Sequence, residues 1–390
     1  MATYKSIRYI IPTEAVEHTD SINALSDVDT ATTAPTDGQI LKWNNTNSKW
    51  YPGDVEEESG LATTLGIIVA GFDDMSWYSV DSNVSISNTG TISSVSYTNT
   101  NEVGIGDGAT YGGDKGILIG TSFSKYSGTA TGTAQKNLVS NAGVLGSDVT
   151  ITTDAISGIY FYDGRLSGLT YGGDKCIFGW GVIVKDENPN KYFEVQKSFL
   201  VSNTGVIGSD VSLPTSSYRE ACIGTSYGGD KGIVIYGRGA TAFNDYGSNT
   251  YTNLDGRANL ISNTGVVASE TACAGTRRHA GAGGEYGSDG KAITAYGHQT
   301  NLDFSSDTNQ INTISNTGVV SSDTTGVGTA RRNMTYTRYG TDKGIFFSGT
   351  NKSMSTYQVY NLVSNTGVVA TDTSTTIDGR GHALSCGYGS

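Results

Sequence analysis

Four histidines, His18, His279, His298 and His382, are the side chains of this 390-residue chain that could hold a metal or move a proton near neutral pH. Only His279 and His382 fall at comparable places, seven and six residues before a repeated tyrosine. Four cysteines, Cys176, Cys222, Cys273 and Cys386, lie far apart with no CxxC pair, which speaks against a zinc site and a disulfide framework; they read as small buried residues. Carboxylates recur five residues after the glycine of a repeated SN phrase, as Asp148, Asp210, Glu270, Asp323 and Asp372, with Val95 as the exception. Arginines recur eight residues before a repeated tyrosine, as Arg219, Arg278, Arg331 and Arg380, with Val103 and Asp163 in the two remaining copies. Charges that return with a repeat bridge neighbouring units or cap turns. The alternative is a ring of calcium sites, but one carboxylate per unit falls short of the roughly six to eight oxygens calcium takes. The glycine-rich YGGDKG is no phosphate loop, because it leads into a strand and not into a helix N-terminus.

These groups are positioned by two interleaved phrases. YGGDKG or a variant starts at Tyr111, Tyr171, Tyr227, Tyr286 and Tyr339, and the chain stops at Cys386-Gly387-Tyr388-Gly389-Ser390, where the phrase starts again. SNTG or SNAG starts at Ser87, Ser140, Ser202, Ser262, Ser315 and Ser364. From each SN phrase to the next YG tyrosine the interval is 24 residues in four units and 25 and 31 in the others, whereas the opposite interval runs from 25 to 35. The first half is therefore tightly packed, and length variation gathers in one connection. In the clearest copy MTYTRYG is a first strand, TDKG a turn, GIFFSG a second strand, YNLVS a third, NTG a turn and VVATDT a fourth. Four short antiparallel strands per roughly 50 to 60 residues is the period of a kelch-type β-propeller blade. The first SN phrase has the strand TTLGIIVAG ahead of it but no YG phrase, and ALSCGYG at the C-terminus supplies the missing strand. The expected fold is all-β: a six-bladed kelch-like propeller over 61–390, closed by pairing N- and C-terminal strands in one blade.

Residues 1–60 carry no copy of the repeat. QILKW and KWYP flank NNTNS and predict a small hairpin bearing Trp43 and Trp50, followed by the acidic VEEESG as a hinge. Two tryptophans on so small a hairpin must pack on something else, either the propeller or a partner assembly. The formal net charge of -12, with no lysine or arginine cluster longer than a pair, lacks the footprint of a nucleic-acid binder. No apolar stretch is long enough for a signal peptide or a membrane span, so a soluble, non-secreted protein without membrane insertion is expected.

The blades resemble the kelch family in having an arginine, a strand, a DK or DGK turn and a second strand ending in glycine. They depart from it in carrying one glycine where a doublet is usual and GVVAT where a tryptophan is usual. The alternation of YGGDKGI with NLVSNTGVV resembles repeat proteins of tailed bacteriophages, and LSDVDT, PTDGQILKW and SKWYPGD resemble a short module near the start of tail-fibre and other virion proteins. The resemblance implies a virion protein, made in the host cytoplasm and anchored to other virion proteins through 1–60, with Trp43 and Trp50 as anchoring residues. It also implies a homo-oligomer.

In a propeller the connections between strands two and three and between blades open on one face, where repeat proteins place binding insertions. The candidate ligand residues there are Tyr160, Tyr162, Asn190, Tyr192, Phe243, Tyr246 and Tyr251, aromatics set among Asn, Asp and Ser. That chemistry suits a host-surface glycan, because a ring stacks on a sugar's apolar face while amides take its hydroxyls. A purely structural tail, baseplate or capsid-decoration part is the alternative. An enzyme is the third reading: the spacing matches no copper-oxidase set of two His, two Tyr and a Cys, while a glycosidase carboxylate pair is invisible in sequence. No catalytic residue, metal or cofactor is expected.

Overall fold

The computed structural model describes residues 27–29, 40–44, 46–53, 65–69, 71, 83–95, 103–122, 134–151, 159–160, 166–185, 193–214, 218–243, 249–299 and 306–389. The chain divides into two compact units, Met1–Leu61 and Ala62–Ser390. In the first, Ile40–Asn44 and Lys49–Gly53 form the hairpin, with Trp43 opposite Trp50. The two indoles pack edge to face at 5.4 Å, and Val28 bridges to Trp50, yet Trp43 keeps 43% of its surface exposed. The 55–60 hinge lies outside the described residues.

The second unit is a six-bladed β-propeller of antiparallel sheets. Blade one is Leu384–Tyr388, Leu65–Val69, Asn83–Ile86 and Ile92–Val95, from the channel outward. Blade two is Val103–Tyr111, Lys115–Ser122, Ala134–Val139 and Val149–Thr150; blade three is Ser167–Tyr171, Lys175–Lys185, Phe193–Val201 and Ile207–Ser212. Blade four is Ile223–Tyr227, Lys231–Ile235, Arg257–Ile261 and Thr271–Ala272; blade five is Ala282–Tyr286, Lys291–Ala295, Gln310–Ile314 and Thr324–Thr325. Blade six is Thr335–Tyr339, Lys343–Phe347, Val359–Val363 and Thr373–Ser374. The C-terminal strand of blade one pairs with the N-terminal one in five residues, from Leu65 opposite Tyr388 to Val69 opposite Leu384, and so closes the ring.

The fourth strand differs from expectation. In blade six VVATDT does not run as one strand: Val369 makes a single bridge to Val363, the register slips, and regular pairing resumes only at Thr373–Ser374. Two-residue outer strands in blades two, four, five and six blunt the edge that those blades show to solvent. The second strands behave oppositely. Ile67–Ile68, Ile117–Ile119, Ile233–Ile235 and Ile345–Phe347 are buried without alternation, because a blade sandwiched between two neighbours is covered on both faces.

The YG phrase is a blade junction. All six tyrosines are buried, and each ring covers the SN-turn glycine of the next blade: Tyr111 on Gly205, Tyr171 on Gly265, Tyr227 on Gly318, Tyr286 on Gly367, Tyr339 on Gly90 and Tyr388 on Gly143. A Cβ at any of these glycines would lie 2.5 to 3.2 Å from the tyrosine ring, and all six have positive φ, so the turn demands glycine twice over. The glycine after the tyrosine then donates its N–H to the DK-turn carbonyl of the next blade. Gly112 reaches Asp174, Gly172 Asp230, Gly228 Gly290 and Gly287 Asp342 at 2.7 Å, and Gly389 reaches Asp114 at 2.9 Å. Asp174 and Asp230 bond the adjacent lysine and also accept from Asn203 and Asn263, tying the two tight turns of a blade together. The lysine hydrogen bond leads in holding both carboxyls below the ordinary range.

The recurrent arginines and carboxylates meet inside the blades. Arg331 is fully buried; it donates to Ser348 O at 2.7 Å and to Asn361 Oδ1 at 2.5 Å, and lies 3.3 Å from Asp372. Its guanidinium also sits 4.3 Å above the Tyr296 ring of blade five, which couples the two blades. Asp372 in turn accepts from Asn361 at 2.9 Å and from Thr329 N at 2.8 Å. Arg278, Asn312 and Asp323 repeat the set in blade five, and Arg219, Asn259 and Glu270 in blade four. These carboxylates face N–H and O–H donors, the opposite of a calcium cage.

Candidate functional site on the open face and axial channel

The YG and SN turns share one face, the tight-turn face, and the irregular connections share the other. Blades three and four build outward from that open face, and blade two lengthens its inner hairpin to Val103 opposite Ser122. In blade three Lys175–Lys185 and Phe193–Val201 run past the inner strand as a long hairpin, with Ile183 opposite Phe193, and Ile159–Tyr160 pairs along it at Lys185 and Val184. Blade four adds a sheet of its own: Tyr218–Glu220, Arg238–Phe243 and Asn249–Leu254. Arg238 Nε is 2.6 Å from the buried Glu220 carboxylate at its base. The blade-three hairpin lies against Tyr218–Glu220, so the two outgrowths adjoin.

Among the sequence candidates, Tyr160 falls on the short strand beside the blade-three hairpin, and Phe243 and Tyr251 fall on adjacent strands of the blade-four sheet. Tyr162, Asn190, Tyr192 and Tyr246 lie outside the described residues. The 186–192 segment joins the two hairpin strands of blade three, and 244–248 joins Phe243 to Asn249.

The inner strands, rich in glycine, surround an axial channel. At its open-face end a cavity of ≈ 90 Å³ is lined by Asp107, Gly168, Asn333 and His382 among others. Asp107 accepts from the Gly108 and Gly168 amides, both at 2.8 Å, and so ties blade two to blade three. Burial nevertheless pushes its carboxyl up to about 7, the two amides only partly offsetting it. Asn333 Nδ2 lies 2.8 Å from His382 Nε2. Both residues, with Ala221 and Ala280, have positive φ and form a backbone ladder across blades four, five, six and one: Ala280 N to Ala221 O, Asn333 N to Ala280 O and His382 N to Asn333 O, each 2.9 Å.

The three described histidines, His279, His298 and His382, do not converge on one site. His279 packs edge to face on His298 at 5.2 Å, His298 is 3.3 Å from Asp307, and Arg332 is 2.7 Å from the same carboxylate. His382 is two blades away. Among the described residues no three His, Cys, Asp or Glu side chains gather as metal ligands, and no helix is long and apolar enough to cross a membrane.

Sequence reasoning passed over Asp107 and the buried asparagines. The asparagines were readable: Asn137, Asn259, Asn312 and Asn361 each stand three residues before an SN serine. Asp107 has no counterpart in the other inner strands and carries no periodic signal.

No protein-family model matches the chain. A search of curated proteins finds no relative.

Proposed function

We propose that the protein is a non-enzymatic virion component of a tailed bacteriophage, attached through its N-terminal module, whose propeller presents its open face to a host-surface glycan as part of a tail fibre or spike. The observation that carries this reading is where the repeat breaks. The tight-turn face is repeated almost residue for residue, whereas the blade-three hairpin and the extra blade-four sheet both grow from the open face and adjoin there. A scaffold held constant under a locally elaborated surface is how a rigid fold displays a binding site. Tyr160, Phe243 and Tyr251 fall on the elaborated strands, and Tyr162, Asn190, Tyr192 and Tyr246 belong to the sequence that connects such strands.

The test exchanges 186–192 and 244–248 for Gly-Ser linkers of equal length in the full chain. Binding to susceptible cells should fall at least about tenfold, equivalent to roughly 1.4 kcal/mol, while the melting temperature stays within a degree or two. Undiminished binding by a folded variant refutes the open-face site. If the parent binds neither cells nor extracted glycan, the purely structural reading of a tail, baseplate or capsid-decoration part takes its place.

A further inference from the structure

Five of the six blades carry the recurrent carboxylate, and in four of them the chain itself supplies a cation to it. Arg331 meets Asp372 at 3.3 Å, Arg278 meets Asp323 at 3.7 Å, Arg219 and Arg257 both meet Glu270, and Lys197 meets Asp210 in blade three. The fifth is Asp148 of blade two. It accepts the side-chain N–H of Asn137, as Asp372 accepts that of Asn361, but among the described residues no lysine or arginine reaches it. The reason lies in the path of the chain. The arginine register falls at Val103, which blade two draws into its lengthened inner hairpin opposite Ser122.

The seat that an arginine fills elsewhere is otherwise intact. In blades four and six a guanidinium donates to Oδ1 of Asn259 and Asn361, whose Nδ2 atoms hold an outer-strand carbonyl, Ala268 O at 2.9 Å and Ala370 O at 2.8 Å. Asn137 makes the same Nδ2 bond, to Gly146 O at 3.3 Å, while its Oδ1 accepts nothing among the described residues. A second acceptor is orphaned beside it. Gln135 is 7% exposed, and its Oε1 is buried with no hydrogen-bond partner among the described residues. Strand alternation sets Gln135 and Asn137 on the face of Val139, which packs with Leu118 against Ile67 and Val69 of blade one. At the Gln135 register blade three has Lys197 and blade four Arg257, and each reaches the carboxylate of its blade, so Gln135 extends toward Asp148. A buried acceptor left unmade destabilises a fold unless something occupies it.

Three acceptor groups therefore gather on one face, a carboxylate and two side-chain amide carbonyls. Calcium takes roughly six to eight oxygens. A planar guanidinium presents its N–H groups as a fork, the arrangement that blades four and six already hold. Asp148 is half-buried beside the outer strand, so a side chain can enter from the blade's outer edge, and a formal net charge of -12 draws a basic one.

We propose that this face of blade two binds the guanidinium of an arginine side chain presented by a partner protein, forked between Asn137 Oδ1 and the Asp148 carboxylate, with Gln135 Oε1 as a further acceptor. The site lies between blades one and two, away from the elaborated connections of blades three and four. Its failure leaves the open-face reading standing, and the converse holds.

The experiment is NMR of the Asn137 and Gln135 side-chain amides in the full chain, titrated with N-acetylarginine amide. Both should shift, whereas N-acetyllysine amide should need at least about fivefold more for the same shift, and calcium chloride should move neither. Free arginine brings an α-carboxylate toward an acidic surface and should bind at least about twofold more weakly than the blocked form; tighter binding of free arginine would mark a small-molecule site and overturn the partner assignment. Gln135→Arg copies Arg257 of blade four and should fill the seat from within, raising the melting temperature and cutting the Asn137 response at least about tenfold. No shift in the parent, an equal response to lysine amide or calcium, or an undiminished response in folded Gln135→Arg would overturn the proposal. Should that variant fail to fold, the parent's responses to arginine, lysine and calcium decide alone.

Discussion

Deleting residues 383–390 should abolish cooperative unfolding of the propeller. The deletion removes Leu384, Ser385, Cys386 and Tyr388, all buried, and uncovers Ile67 and Ile68, which are buried against them. At roughly 1.5 to 3 kcal/mol for each large apolar side chain returned to water, these terms alone approach the about 5 to 15 kcal/mol by which a typical protein is stable. The loss spreads to both neighbours. Blade two loses the Tyr388 ring over Gly143 and the Gly389 hydrogen bond to Asp114; blade six loses the Ser385 hydroxyl bond to Tyr336 O, 2.8 Å. A closed ring differs here from an open stack of repeats, which sheds a terminal unit and keeps the rest. Calorimetry of the truncated chain should show a broad, weak transition, or insoluble protein. A melt like that of the parent would mean that the closing strand is dispensable.

The second large effect is on pH. Asp107 has a folded-state pKa of about 7 against an ordinary 3.8, because burial opposes its charge more than two amide hydrogen bonds favour it. A carboxyl raised on folding gives its full stability below the unfolded pKa and loses it as pH rises through the folded one. A shift of this size corresponds to on the order of 4 kcal/mol lost between about pH 4 and pH 8. Asp107→Asn cannot ionise, so it should be the more stable protein above neutrality, by as much as about 3 kcal/mol once its poorer fit to two donors is allowed for. The advantage should vanish near pH 5. Urea unfolding of both proteins at about pH 5 and about pH 8.5 reads the difference. Parallel stability profiles would show that Asp107 is ionised at little cost.

Blade number and ring closure were legible because the two phrases are the junctions themselves. A tyrosine that must cover a glycine, and a glycine that must present an amide, permit few substitutions, so SNTG and YGGDKG recur wherever blades meet. The broken phrase at Tyr388 pointed to closure for the same reason, since Tyr388 covers Gly143 as the other five tyrosines cover theirs. The fourth strand was overread from VVATDT, since apolar valines suggest a strand while the slip after Val369 depends on how the turn feeds the edge. Elsewhere the deciding residues are departures from the repeat. Asp107 occurs once at its register, and a pattern search discards single occurrences as noise. The blade-four sheet was visible only as extra length around Phe243 and Tyr251, because its pairing with Tyr218–Glu220 joins segments from two different connections.

The functional account rests on the protein being displayed on a virion, and immunogold electron microscopy of purified particles tests that most directly, with an antibody raised against the propeller. Gold at a tail tip or fibre is the predicted result. Gold over the capsid or along the tail tube would contradict host attachment and favour a structural part, and particles without gold would contradict the virion assignment itself.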